Sequence, residues 1–280
     1  MFEVAEHEPL VAPVLVGAFD GWVSAGGAGI GTADHLAGDA EPLAVFDSDL
    51  LFDYRVNRPT VDFRDGVLDD VSWPEITVRR AHVDGRDLLV LSGPEPNWRW
   101  KAFSNAVVDL AAKLGVVEHV SIGGIPWAAP HTRPTQVITT ASTGDRIEVD
   151  DDFPDGLLRV PGAVVSVIEF AMADAGYPTL GLWARIPHYV ATTYTPGVLS
   201  LVERLSRHLG VSIPLGSLVD DAAEQRRELD AAIEARPEAQ AMIEQLEAMA
   251  DAAGDVPSGE ELAAEIERFL RESGDDQPGD

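Results

Sequence analysis

Val116–Pro134, VVEHVSIGGIPWAAPHTRP, decides how the rest of the chain is read. Four apolar residues, Val116, Val117, Val120 and Ile122, lead into Gly123-Gly124, and a proline, a tryptophan, a histidine and an arginine crowd the positions that follow. A buried strand that ends in glycines brings bare backbone and projecting side chains to the carboxyl edge of a sheet, where α/β proteins hold ligands and partners. Working outward, Val14–Ala18 is apolar at every position and reads as a central strand. Ile76–Val83 and Arg86–Leu91 flank Asp84-Gly85, the strongest short-range hairpin signal.

Between these strands lie helical patterns. Ser24 is placed to cap a helix running to about Leu36, and Trp98–Leu114 sets Phe103, Val107, Leu110 and Leu114 on one face. Leu43–Phe46 is a further strand, followed by polar loop sequence through Arg64. A strand near Gln136–Ala141, a helix over Ala163–Asp174, a strand over Thr179–Ile186 and a helix over Pro196–Leu209 complete the alternation, with a loop or short hairpin over Asp145–Pro161. The pattern predicts an α/β three-layer sandwich with a mixed central sheet of six or more strands.

Residues 1–215 form the α/β domain in this reading, 216–272 an acidic helical extension, and 273–280 a disordered tail. In the extension Leu229 and Ile233 lie one turn apart, Pro237 suits the first turn of a new helix, and Met242, Ile243, Leu246 and Met249 make a second stripe. A capping box at Ser258–Glu261 opens a third helix. Helices this short are marginal alone and must pack on the body, on each other or on another subunit.

The chain carries 48 acidic against 20 basic residues, a net charge of −28, and half of that surplus lies beyond Ser217. Such a balance argues against nucleic acid, whose phosphates are held by clustered Lys and Arg. No apolar stretch reaches the ~20 residues of a membrane span, and the acidic start MFEVAEHEPL is unlike a signal peptide. A cytoplasmic protein is expected. With no cysteine, disulfides, thiolate catalysis and cysteine-ligated metals are excluded. The seven histidines show no HxH, HxxxH or HExxH spacing and Asp150–Asp152 lacks the EF-hand pattern, so neither a metal nor a cofactor is expected.

Three stretches carry candidate sites. The turn from Gly21 to Gly31 could cradle a phosphate on backbone N–H groups, with Asp47 placed as a ribose-binding acid. However, Thr32 stands where a third glycine belongs, no GxxxxGK occurs, and Asp20 would repel an anion. The competing reading is that these glycines allow close packing. In the second stretch, His131 could serve as a base and Arg133 as an anion clamp, with Gly123 and Gly124 donating to an oxyanion; alternatively Pro126, Trp127 and Pro130 build a rigid loop within which His131 and Arg133 bond. The third is Pro94–Trp100, PEPNWRW, where Glu95, Trp98, Arg99 and Trp100 suit an interface anchor or else close the end of the core. Asp20 and Trp22 adjoin it, and Arg185, His188 and Tyr189 share the rim at the end of a late strand. No G-x-S-x-G nucleophile elbow is present.

Together with VGAFDGWVSAGGAG (Val16–Gly29) and SGPEPNWRWKAF (Ser92–Phe103), the opening stretch resembles the proteasome assembly chaperone 2 family, in particular its longer actinobacterial-type members. The resemblance spans roughly Pro13 to Pro214. It implies a fold like that of purine nucleoside phosphorylases and a non-enzymatic, protein-binding role as a homo-oligomer, with a trimer favoured and proteasomal α-subunits or their precursors as partners. Relatives that dock on proteasomes can use a terminal hydrophobic-Tyr-any motif, whereas this sequence ends Gln277-Pro-Gly-Asp280. The fold leaves open a second function, a nucleoside- or nucleotide-processing enzyme.

Overall fold

A computed structural model describes residues 1–147 and 156–254. In chain order its elements are β1 (Phe2–Val4), β2 (Val14–Asp20), α1 (Ala28–Ala37), β3 (Pro42–Phe46), α2 (Ser48–Leu51), β4 (Thr60–Arg64), β5 (Val67–Ser72), β6 (Thr77–Val83), β7 (Arg86–Pro94), α3 (Trp100–Leu114), β8 (Glu118–Trp127), β9 (Val137–Ala141), α4 (Val164–Asp174), β10 (Thr179–Pro187), α5 (Thr195–Leu209), α6 (Leu218–Glu234) and α7 (Pro237–Gly254). The described chain falls into two compact units, Met1–Ala231 and the residues from Ala232 onward.

In the first unit eight strands form one sheet in the order β1-β3-β6-β7-β2-β8-β10-β9. The inner four, β7, β2, β8 and β10, run parallel, and antiparallel neighbours extend both sides. Side chains on a strand alternate between faces, and β2 shows the consequence. Val14, Val16 and Ala18 enter one core, beneath α1 and α5, while Leu15 and Phe19 enter the other, beneath α3 and α4. Both faces are covered, which is why β2 reads as a continuous apolar run from Val14 to Phe19. The mixed three-layer architecture expected from the sequence is the one found.

The Asp84-Gly85 hairpin forms as expected, with both residues at positive φ, 47° and 78°. Two expectations are corrected. The polar loop through Arg64 contains the short helix α2, whose first turn is capped by Asp47 Oδ1 accepting from the Asp49 N–H at 3.1 Å. It then enters a second hairpin, β4–β5, turning at Asp65-Gly66. Ser24 does not cap α1; its hydroxyl donates to Asp20 Oδ1 at 3.0 Å, and a 3-10 turn over Ala25–Gly27 precedes the helix.

Helix α6 begins in the first unit, where Leu218 and Leu229 pack against the α1/α5 core and Ala222 is buried. Its Gln225 clamps the start of α5: Oε1 accepts from the Thr195 N–H at 2.8 Å and Nε2 donates to the Thr193 carbonyl at 2.6 Å. In the second unit α7 starts at Pro237, the residue expected in its first turn. The third helix expected after Ser258, the tail from Ser273 and residues 148–155 of the Asp145–Pro161 loop lie outside the described residues. Among the described residues no helix is long and apolar enough to cross a membrane.

Candidate functional site

The carboxyl ends of the parallel strands bring the candidate residues together in two neighbouring groups. At the ends of β2 and β7, the Glu95 N–H donates to the Asp20 carbonyl at 2.8 Å, continuing the pairing of those strands past their ends. The Glu95 carboxylate then crosses Gly21 and accepts from the Val164 N–H at 2.6 Å, which caps α4 with a charge at its positive end. Only glycine fits beneath it, since a Cβ at Gly21 would stand 2.7 Å from Glu95 Oε2.

Trp22, next to Gly21, and Trp98, three residues after Glu95, are 62 % and 51 % exposed. Arg99, in the left-handed conformation at φ 59°, turns the chain into α3, and its side chain is exposed. Trp100 faces inward: its indole N–H donates to the Pro96 carbonyl at 2.5 Å and its ring packs on the α3/α4 core. The two readings of this stretch therefore divide by residue. Trp100 closes the core, whereas Trp22 and Trp98 project.

The second group lies at the ends of β8 and β10. Arg185 is buried, stacks 4.3 Å over the Trp127 ring and donates from Nη1 to Gln136 Oε1 at 2.5 Å. His131 is 1 % exposed and sits in a directed chain. Its backbone N–H donates to Tyr189 Oη at 2.8 Å, the Tyr189 hydroxyl returns a hydrogen bond to Nδ1 at 2.8 Å, and Nε2–H donates to Asp230 Oδ1 at 3.1 Å. The carboxylate only accepts, which fixes the imidazole's proton on Nε2 and leaves Nδ1 for the tyrosine. His188 stacks edge-on to Tyr189 at 5.5 Å and caps the Trp127 carbonyl. Arg133 is half-buried in the same loop, and Pro126 is exposed.

Gly123 and Gly124 do not present free donors. The Gly124 N–H donates to the Val23 carbonyl at 2.9 Å, and Ser24 pairs with Gly124 as an isolated bridge. A Cβ at Gly123 would lie 2.7 Å from the Val23 oxygen, and one at Gly124 would press into the Ala25 carbonyl. Both glycines exist to let the β2–α1 loop close over the end of β8. Gly29 likewise packs against the backbone of Ile122, so the glycine-rich turn works by close approach.

A buried polar row lies beneath α4. The His119 Nδ1–H donates to the Leu15 carbonyl at 3.1 Å, and Nε2 accepts from the Ser121 hydroxyl at 3.0 Å. Burial holds the imidazole neutral, with its pKa pushed down to about 4. Burial also pushes the Glu169 carboxyl, beside Ser121, up to about 7. Among the described residues no cluster of three or more metal-ligating side chains occurs.

Three features escaped the sequence reading. Asp230 comes from α6, and nothing in the local sequence links it to His131. Gln136 was read only as the start of a strand. The β4–β5 hairpin is exposed along its whole length, with Val61, Phe63, Val67, Leu68 and Val71 all in solvent. Its turn carries the Asp-Gly signal that identified the other hairpin.

The sequence pattern of the PAC2 family matches residues 18–233. A protein of unknown function from Corynebacterium glutamicum is 31% identical, with a TM-score of 0.85 over 91% of this chain and 98% of that one. A PAC2 family protein from Streptomyces avermitilis MA is 34% identical, with a TM-score of 0.74 over 82% of this chain and 99% of its own. A Mycobacterium tuberculosis proteasome-assembly chaperone homologue is 30% identical, with a TM-score of 0.76 over 82% and 99%. No functionally curated protein matches the sequence.

Proposed function

The chain belongs to the PAC2 family, and we propose that it is a non-enzymatic module that binds other polypeptides and works as a homo-oligomer, a trimer being the favoured form. The observation that carries this reading is the β4–β5 hairpin. A two-stranded ribbon is marginal in water without a surface to pack on, and this one shows Phe63, Val67 and Leu68 at 64 %, 68 % and 73 % exposure. Trp73, half exposed, stacks edge-on with Tyr54 4.8 Å away near its base. An apolar patch of this kind marks a protein contact. A second copy of the chain is its natural cover.

Trp22 and Trp98, exposed just beyond the carboxyl ends of β2 and β7, are residues of the type that anchors protein interfaces. The partner we assign to them is a proteasomal α-subunit or its precursor, by analogy with the M. tuberculosis homologue. Closure of the Gly123-Gly124 edge by the loop at Val23–Ala25 supports binding over phosphate or oxyanion chemistry.

Native mass spectrometry of the full chain tests the reading. We expect a closed multimer of the 30.0 kDa chain, its dissociation in the Phe63→Asp/Leu68→Asp double variant, and loss of proteasome-subunit co-purification in Trp22→Ala/Trp98→Ala. A parent that is monomeric at micromolar concentration overturns it.

A further inference from the structure

Where β2 and β7 end, the chain leaves in opposite directions. β2 feeds α1 on one face of the sheet and β7 feeds α3 on the other. The crevice between two such strands is where open α/β sheets bind ligands. Here it opens into a cleft of about 300 Å³ on the α1 side, and none of the contacts described above fills it.

Its floor is polar. Thr77 and Ser92 face each other across β6 and β7, are 3 % and 8 % exposed, and both line the cleft. Neither hydroxyl has a hydrogen-bond partner among the described residues. Both hydroxyls open into the cleft, where they are available to a group that enters it.

The wall is apolar, formed by Ile30 of α1. The rim carries three exposed carboxylates, Asp20, Asp34 and Glu75, against one cation, Arg79, which forms no ion pair among the described residues. An apolar wall that leads to hydroxyl acceptors beneath a surplus of carboxylates is the complement of one shape: an aliphatic stem ending in a cation with several N–H donors. The whole chain's charge of −28 adds to the attraction.

We propose that this cleft is a receptor for a lysine or arginine side chain of a bound protein. The inference rests on the protein-binding reading above and names the part of the partner that the edge beside Trp22 would take. The stem would lie along Ile30, with its head bonded to the Thr77 and Ser92 hydroxyls and neutralised by Asp34 and Asp20.

The test titrates the full chain with Nα-acetyl-lysine methylamide and Nα-acetyl-arginine methylamide, following backbone amide resonances. Saturable binding with shifts centred on Asp34, Thr77 and Ser92 is expected. The uncharged Nα-acetyl-norleucine methylamide should leave those resonances unmoved. Asp34→Asn and Thr77→Val should each weaken binding at least tenfold while the remaining amide spectrum stays that of the folded parent.

Shifts that spread over the acidic surface without saturating, or variants that bind as the parent does, overturn the proposal. So does spermidine binding a hundredfold tighter with the same footprint, because the site would then belong to a free polyamine. The oligomer's mass plays no part in this titration, so the protein-binding reading and the cleft fail or stand separately.

Discussion

Asp230 Oδ1 lies 3.1 Å from His131 Nε2, joining helix α6 to the loop that follows β8 across 99 residues of sequence. The histidine is buried whereas the aspartate is half exposed, so the bond is both a tether for the helix and the only cover for a buried N–H among the described residues. Removing it with Asp230→Ala leaves that donor unmatched, at a cost of about 1–2 kcal/mol. Amide hydrogen exchange should quicken over the Leu218–Ala231 stretch of α6, with the central strands unchanged. Equal protection in parent and variant would show that Leu218, Ala222 and Leu229 hold the helix unaided.

The Glu95 cap makes a prediction about a residue that touches neither helix. Gly21→Ala places a methyl 2.7 Å from Glu95 Oε2 and 2.9 Å from its Cβ, so the carboxylate must leave the Val164 amide. The loss of a charged cap, typically about 1 kcal/mol, adds to the strain of overpacking, about 1–3 kcal/mol. Glu95→Ala alone should cost only the first part. Chemical denaturation of the two variants separates these contributions.

Gly124→Ala should be the more damaging change, because its methyl meets backbone, the Ala25 carbonyl, and backbone cannot rotate aside. A loss of about 3 kcal/mol is expected. Restored mobility of the Val23–Ala25 loop would show as a lowered melting temperature and a blue- or red-shifted emission from Trp22.

Glu169 predicts a pH dependence. Burial raises its folded-state pKa from 4.5 to about 7, so the native state holds the proton more tightly than the unfolded chain. The stability this lends is complete below pH 4.5 and is lost as the pH rises through 7. Glu169→Gln keeps a neutral side chain at every pH. Relative to the parent it should therefore gain stability between pH 4.5 and 7, reaching on the order of 3 kcal/mol at pH 8. His119, whose pKa is lowered by burial, acts in the opposite sense at lower pH and cancels in the comparison. A variant-minus-parent difference that stays flat from pH 5 to 8 would rule this account out.

The inner strands were legible in the sequence because both their faces are covered. Val14–Ala18 is apolar throughout, and Val116, Val117, Val120 and Ile122 carry the run into Gly123-Gly124. The ends of β8 and β10 were legible for the same reason: once a strand stops, whatever follows it stands at the edge, and Trp127, His131, Arg185, His188 and Tyr189 do meet there.

What stayed hidden depends on the order of strands. Thr77 and Ser92 lie in two ordinary strand patterns, and only the pairing of β6 with β7 under the end of α1 makes them the floor of one cleft. Asp230 is one acid among many in α6 and gains its role from where the helix lies. The β4–β5 ribbon was a different failure. Its Asp65-Gly66 turn was in plain view, but charged residues interleave with Val61, Phe63 and Leu68, and the stretch reads as polar.

That interleaving has a use of its own. Among the described residues β4 and β5 pair only with each other, so each leaves one row of backbone donors and acceptors unpaired, a template on which stray strands can grow. Asp62, Asp69 and Asp70, with Arg64 held to Asp69 at 2.7 Å, set charge along both open edges. Charge along both edges thus lets an apolar ribbon stand in solvent without recruiting stray strands.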